Sequence, residues 1–297
     1  MAIDAATVAF GPDSPDLANV VLTHAEVEER AGNFSTARAL AECAAAIAAP
    51  MVDSDDPELM SLWVDIEVAC ARMVCTQGCF DQAETRLAAA LATATRVLAP
   101  DDPVMLPIHN MRGVTAKYAG RFADAQTHYE LVRAELDVEP AADPQALAVL
   151  LHNLGGLAHS RGQVEEGLAH ARRGLALRIA AVGDDHPDVA CDLNAMGALH
   201  HDGGDASAAE GCYRRALEIF ENTLGTEHYE VGMTCANLAV AAATSGDTDQ
   251  ARLHYERALR ILESALGTAH PDVALVRRNL AVLRTTIKTL CLQRNPR

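Results

Sequence analysis

Apolar residues recur along this chain at helical spacing, and the pattern then repeats as a block. They fall at Ala209, Tyr213, Ala216, Leu217, Phe220 and Leu224, and again 42 residues later at Ala251, Tyr255, Ala258, Leu259, Leu262 and Leu266. Steps of i, i+4, i+7 and i+8 put one apolar stripe on an α-helix. Ahead of each stripe stands a glycine. Gly78, Gly120, Gly162, Gly204 and Gly246 are spaced 42 residues apart, and Gly32 precedes them by 46. Each is followed five positions on by a small residue: Ala37, Ala83, Ala125, Gly167, Ala209 and Ala251. Upstream of the glycines, Ser14-Pro15, Asp56-Pro57, Asp102-Pro103, Asp143-Pro144, His186-Pro187 and His270-Pro271 read as helix starts. Proline is tolerated at a first helical position because the N–H it lacks has no partner there. The pattern therefore predicts a helix, a glycine turn and a second helix, recurring in tandem.

One such unit cannot stand alone, because a single apolar stripe does not offset the ordering of a whole repeat. Stacking supplies the rest by burying both faces of each inner helix. The stretch from Pro57 to Gly78 is four residues longer than Pro187 to Gly204, about one extra helical turn, and it holds the only tryptophan, Trp63. A seventh start at His270-Pro271 has Lys288 where the turn glycine belongs and reads as a terminal capping helix. Glycine is expected to matter most at turns such as Gly204, and Gly183, in a looser connection, is expected to tolerate alanine.

The order leucine with glycine or alanine, then glycine, alanine, tyrosine, alanine resembles the tetratricopeptide repeat. It reads Leu154-Gly155, Gly162 and Gly167 in the fourth unit. It continues as Met196-Gly197, Gly204, Ala209, Tyr213 and Ala216 in the fifth, and Leu238-Ala239, Gly246, Ala251, Tyr255 and Ala258 in the sixth. The 42-residue length, with Leu-Gly-Thr-x-His at 224–228 and 266–270, is similar to the kinesin-light-chain subtype. The resemblance implies an all-α, right-handed superhelical solenoid: an arm at 1–14, six helix-turn-helix repeats and a capping helix within 15–291, and a tail at 292–297. It departs from the pattern at Arg112, which stands where a buried leucine is expected.

Composition narrows the function classes. Alanine dominates a 49% hydrophobic chain with 4% aromatics, which suits close-packed helices better than sheets. A net charge of −17 argues against nucleic acid and anionic membranes. No stretch has the roughly 20 apolar residues that span a bilayer. Lysine is nearly absent, at Lys117 and Lys288 only, while arginine is common, a bias that looks like a high-GC bacterial genome. The eight cysteines form no CxxC pair, which fits small thiols in a reducing cytoplasm. Phosphate-loop, GxSxG, HExxH and EF-hand signatures are all missing, so no catalytic or metal residue is assigned and no cofactor is expected.

In tetratricopeptide arrays the first helices line a concave groove, and the resemblance carries that role to positions 2, 3, 6 and 10 before each repeat glycine. Here these give Arg72, Asn110, Lys117, Tyr118, His152, His159, Asn194, His201, Asp202 and Arg278 as candidate ligand-binding residues. Asn110, His152 and Asn194 share one register in consecutive units, a ladder able to bond an extended peptide backbone. The same positions in the first unit hold Glu26 and Glu29; against a strongly acidic chain, the middle of this wall carries Arg72, Lys117 and three histidines with Asp202 as its only acid, so an acidic peptide docking near Lys117 and His159 is expected. The leading reading is a non-enzymatic protein-interaction module or bacterial regulator. The alternative is a small-molecule-binding or catalytic protein using a central His/Lys/Tyr pocket. Self-association through the terminal helices, with Leu280, Leu283, Ile287 and Leu290 leaving apolar surface exposed, is a third expectation.

Overall fold

The computed structural model describes residues 2–99, 101–138 and 143–294, leaving aside the side chains of residue 2 and of 286–294. The last three residues of the expected tail and the side chains of Ile287 and Leu290 lie outside the described residues. The elements are α1 (Ala2–Phe10), α2 (Pro15–Arg30), α3 (Phe34–Ala48), a 3-10 turn (Ala49–Asp53), α4 (Pro57–Thr76), α5 (Phe80–Ala94), α6 (Met105–Tyr118) and α7 (Phe122–Val138). They continue as α8 (Pro144–Ser160), α9 (Val164–Val182), α10 (Pro187–Asp202), α11 (Ala206–Leu224), α12 (Tyr229–Thr244), α13 (Thr248–Leu266) and α14 (Pro271–Arg294). No strand occurs among the described residues. Contacts group the chain into two compact units, 1–153 and 154–297, with the division inside α8.

In the first unit α2 packs on α3, α4 on α5 and α6 on α7, while α2, α4 and α6 also touch in succession. Its core holds Val21, Ala25, Met60, Val64, Ile66, Leu87 and Ile108. The segment expected as an N-terminal arm is itself a helix, α1, which turns Ala6 onto α2. The second unit repeats the scheme with α10 on α11, α12 on α13 and α14 closing on α13. Its core holds Val189, Phe220, Val231, Tyr255, Leu262, Val276 and Leu280. The extra turn expected around Trp63 is present, α4 having 20 residues against 16 in α10 and α12.

Helix starts follow the capping logic, with one addition and one correction. Ser14 Oγ accepts from Leu17 N at 3.2 Å, and Asp56 and Asp143 cap α4 and α8 in the same way. The addition is histidine: Nδ1 of His186, His228 and His270 accepts from the backbone N–H two residues on, at 3.2–3.3 Å. The correction is α6, which begins at Met105 rather than at Pro103 and carries Pro107 in its first turn, where no intrahelical N–H bond is lost.

The repeat glycines end the first helices in the left-handed region, with φ of +72 to +82° at Gly32, Gly78, Gly120, Gly162, Gly204 and Gly246. Behind Gly204 the chain closes with Asp205 N to His200 O at 2.9 Å, the wrapped terminus that a left-handed residue permits. Gly183 overturns the expectation of tolerance. It has φ +85° and ψ +164°, a conformation that is essentially glycine-only.

The terminal helix also differs in detail from expectation. Leu280 and Leu283 are 3% and 7% exposed and pack within the second unit's core. They leave no apolar surface, because their i, i+3 spacing faces them inward with Val276. Among the described residues of α14, the exposed large apolar side chains are instead Leu275 (45%) and Val282 (61%).

Candidate functional site

The candidate wall divides between the two units. In the first, Arg72 of α4 lies 2.9 Å from Glu29 and 3.8 Å from Glu26, both on α2. Burial raises the Glu29 carboxyl more than Arg72 lowers it, and burial together with Glu26 raises Asp65. Arg72 therefore sits among carboxylates of its own chain and adds no net positive charge to the wall. The expectation counted Arg72 toward the positive charge of the middle wall, and Glu26 and Glu29 offset that charge.

Lys117 is different. It is half-buried at the end of α6, and no carboxylate pairs with it among the described residues. Its Nζ rests 4.2 Å from the centroid of the Tyr118 ring, which stacks on Phe80 at 6.4 Å. Burial lowers the ammonium from the ordinary lysine value, and the nearby Cys75 thiol opposes this. Cys75 itself is pushed up by burial, against a hydrogen bond with Thr115 and the Lys117 charge. The thiol is thus held protonated, which removes it as a nucleophile at neutral pH.

Asn110 accepts a 2.8 Å bond from Asn153 Nδ2 on α8. His152, next to Asn153, is half-buried on the same helix. The asparagine ladder thus spends part of its bonding capacity between neighbouring first helices, as it does in the second unit. There Asn194 Nδ2 donates to Thr234 Oγ1 of α12 at 2.8 Å, while Asn194 Oδ1 is buried and has no partner. His159 of α8 meets Asp202 of α10 at 2.8 Å. His201 is half-buried with Nδ1 unpartnered, and Arg278 is exposed on α14.

Asp65, Asn153 and Thr234 belong to these walls and escaped the reading of the sequence, which took only the glycine-counted positions. Sequence reading also missed a buried ion pair at the α9–α10 contact. Arg178 Nε bonds Asp192 Oδ2 at 3.0 Å, with side chains 10% and 3% exposed. The signal was available: Arg178 occupies the register of Leu136, Phe220 and Leu262, and Asp192 that of Ile108, Leu150 and Val276.

Two clefts are formed by other residues. One of about 540 Å³ lies between α13 and α14 over Leu259, Leu280 and Ala281, edged by Arg277 and Arg284. The other, about 550 Å³, is lined by Arg112, Arg121, His128, Asp81, Glu84 and Asp124. Beside it His109 and His128 meet Nδ1 to Nδ1 at 3.3 Å. Burial and Arg112 lower both imidazoles, His128 to about 4. Neither cleft is lined by Lys117, Tyr118, His159 or His201. Among the described residues no three His, Cys, Asp or Glu side chains are grouped to hold a metal ion, and no helix is long and apolar enough to cross a membrane.

A family model for the tetratricopeptide repeat matches residues 146–222 and 199–264. No curated protein matches the chain. Among solved structures, BtubC (BKLC) from P. vanneervenii is similar at 22% identity and TM-score 0.60, over 76% of this chain and 92% of that one. A Podosopora anserina structure described as a kinesin light chain with nearly identical TPR-like repeats matches at 19% and 0.51, over 67% and 95%. A Rap protein complexed with Competence and Sporulation Factor matches at 15% and 0.68, over 93% and 73%. The helix pairing, the glycine turns and these likenesses agree on an all-α tetratricopeptide solenoid, a fold that suggests protein–protein interaction scaffolding. The tetratricopeptide-repeat family model thus covers the stretch 146–264, and the fold of the chain is that of solved tetratricopeptide-repeat proteins, kinesin-light-chain-like ones among them.

Proposed function

We propose that the chain is a non-enzymatic interaction module that holds an extended peptide segment against its first helices, with a ligand carboxylate paired to Lys117. The observation that carries this is Lys117 itself, a half-buried ammonium with an aromatic platform and, among the described residues, no carboxylate beside it. A desolvated cation without a counter-charge gains more from an incoming carboxylate than an exposed one does. Binding would also reverse the depression of its pKa. Arg72 and His159 have intramolecular acid partners and so compete poorly for the same ligand. Asn110 and its bonded partner Asn153 supply amide groups for the peptide backbone in the same unit. The Rap structure holding its factor supports a regulator's role by analogy of fold alone.

The test is anisotropy binding with acidic and basic extended peptides of about ten residues, on the wild type, Lys117→Gln and Lys117→Glu. A lost charge-assisted bond of about 1.5–3 kcal/mol predicts affinity for the acidic set falling about tenfold or more in Lys117→Gln, and further in Lys117→Glu. Equal affinity for both peptide sets in the wild type, or unchanged binding in Lys117→Glu, would overturn the reading.

A further inference from the structure

Glycine sets how closely α6 and α7 approach. Tyr129 is fully buried, and its ring lies 2.3 Å from where a Cβ on Gly113 would stand. One turn before Gly113 and one position before Tyr129, the two helices bring His109 and His128 together. Their Nδ1 atoms are 3.3 Å apart while the ring centroids are 5.4 Å apart. The rings therefore meet by their Nδ1 edges, with planes 26° apart, and the two nitrogens face one point.

The repeat register accounts for the meeting. His109 stands 11 residues before its repeat glycine, Gly120, and His128 stands 8 after it. The same two places around Gly78 hold Glu67 and Arg86, which pair at 3.3 Å. Around Gly32 they hold Val21 and Leu40, and around Gly162 they hold Leu151 and His170. These places can join side-chain ends across a helix pair, and only around Gly120 are both of them histidine.

Two nitrogens 3.3 Å apart, each bonded to one ion at about 2.0–2.1 Å, subtend roughly 105–110° at that ion, the angle of a tetrahedral centre. His128 also lines the cleft of about 550 Å³ that Asp81, Glu84 and Asp124 share with Arg112 and Arg121. Three carboxylates against two guanidiniums leave this lining negative. Both guanidiniums are paired, Arg112 with Glu84 at 3.0 Å and Arg121 with Asp81 and Asp124 at 3.5 and 3.6 Å. The cleft is thus an entry path that does not repel a cation.

We propose that His109 and His128 form a two-imidazole site for a divalent ion of the zinc class. The ion takes the place of the proton between the rings, which moves to an Nε2, so that both Nδ1 lone pairs face the metal. Imidazole is a donor suited to Zn²⁺. Among the described residues no third His, Cys, Asp or Glu completes a metal-holding group with the pair, so water or a donor atom of a bound molecule fills the other two positions. Lys117 takes no part in this site, which is independent of the peptide reading.

The test is Zn²⁺ titration of untagged, chelator-treated protein by calorimetry, from about 1 to about 100 µM metal, on the wild type, His109→Gln, His128→Gln and His170→Gln. His170 is the control, since Leu151 holds the partner place in its repeat. Removing either imidazole of the pair should weaken binding about tenfold or more, and His170→Gln should bind as the wild type does. Thermal melts of each protein with and without Zn²⁺ compare every variant with itself, and the metal-dependent rise should shrink only in the two pair variants. Co²⁺ should give a visible tetrahedral band that both pair variants lose, without the near-ultraviolet band that thiolates such as the exposed Cys43 and Cys79 would add. A wild type that binds no Zn²⁺, a loss confined to one of the two histidines, or an equal loss in His170→Gln would overturn the proposal.

Discussion

The Arg178–Asp192 pair gives the sharpest stability prediction. Valine in place of Asp192 leaves a guanidinium that is 10% exposed, with only Asp188 at 3.9 Å and itself 55% exposed. Breaking a buried pair by removing one partner costs about 3–5 kcal/mol. The remaining contact with Asp188 trims this to about 2–4 kcal/mol, since an exposed carboxylate near the 4 Å limit recovers little in high dielectric. Arg178→Leu strands the Asp192 carboxylate, 3% exposed, and should cost a similar amount. The double variant restores what the chain already uses at Leu262 and Val276, which are 0% and 4% exposed. It should lie within about 1 kcal/mol of the wild type or above it, because an apolar pair of matching volume avoids desolvating both ions. The coupling between the two sites should thus be at least about 3 kcal/mol. Urea unfolding followed by far-UV circular dichroism measures the sums, and hydrogen exchange across α9 and α10 localises the loss, which matters because repeat arrays need not unfold in two states. Single variants that lose under about 1 kcal/mol, or a double variant whose loss equals the sum of the singles, would refute the reasoning.

Three further outcomes follow from the same structure. An ideal Cβ on Gly113 would lie 2.3 Å from the Tyr129 ring, so Gly113→Ala should cost about 1–3 kcal/mol through overpacking, and thermal melts that match the wild type would contradict the packing of α6 on α7. Gly183→Ala should lower the melting temperature at least as much as Gly204→Ala, since an added Cβ meets open space at both positions and Gly183 combines φ +85° with ψ +164°, a glycine-only conformation; a silent Gly183→Ala would show that the α9–α10 turn relaxes. His128 is held at about 4, below the unfolded value near 6.5. The unfolded chain thus binds the proton first, so this contribution is whole above about pH 6.5 and is lost as pH falls toward 4, by about 1–3 kcal/mol once screening is allowed for. Stability curves at pH 7 and pH 5 should converge for His128→Gln relative to the wild type, and parallel losses in both would exclude His128 as the cause.

The sequence by itself determined the helix-turn-helix repeat, because period, glycine and stripe are local properties. A left-handed residue every 42 positions and an apolar face of helical spacing admit few backbones, and the extra turn around Trp63 followed from counting alone. Counting also chose the candidate wall, since positions measured from Gly78, Gly120, Gly162 and Gly204 land on first helices. What each side chain on that wall does was decided only by the tertiary structure. Arg72 and Lys117 are both cations at groove registers, yet one meets Glu26 and Glu29 and the other meets an aromatic ring. His159 and His201 sit at the same register, yet one bonds Asp202 while Nδ1 of the other is left without a partner. Pairing depends on distances between helices that are far apart in sequence, and a charge count along the chain carries no such distance. For the same reason Leu280 and Leu283 read as surface in a capping helix until α13 was seen to cover them. Leu275 and Val282 on the same helix are 45% and 61% exposed, because i, i+7 spacing turns them away from the face that α13 covers.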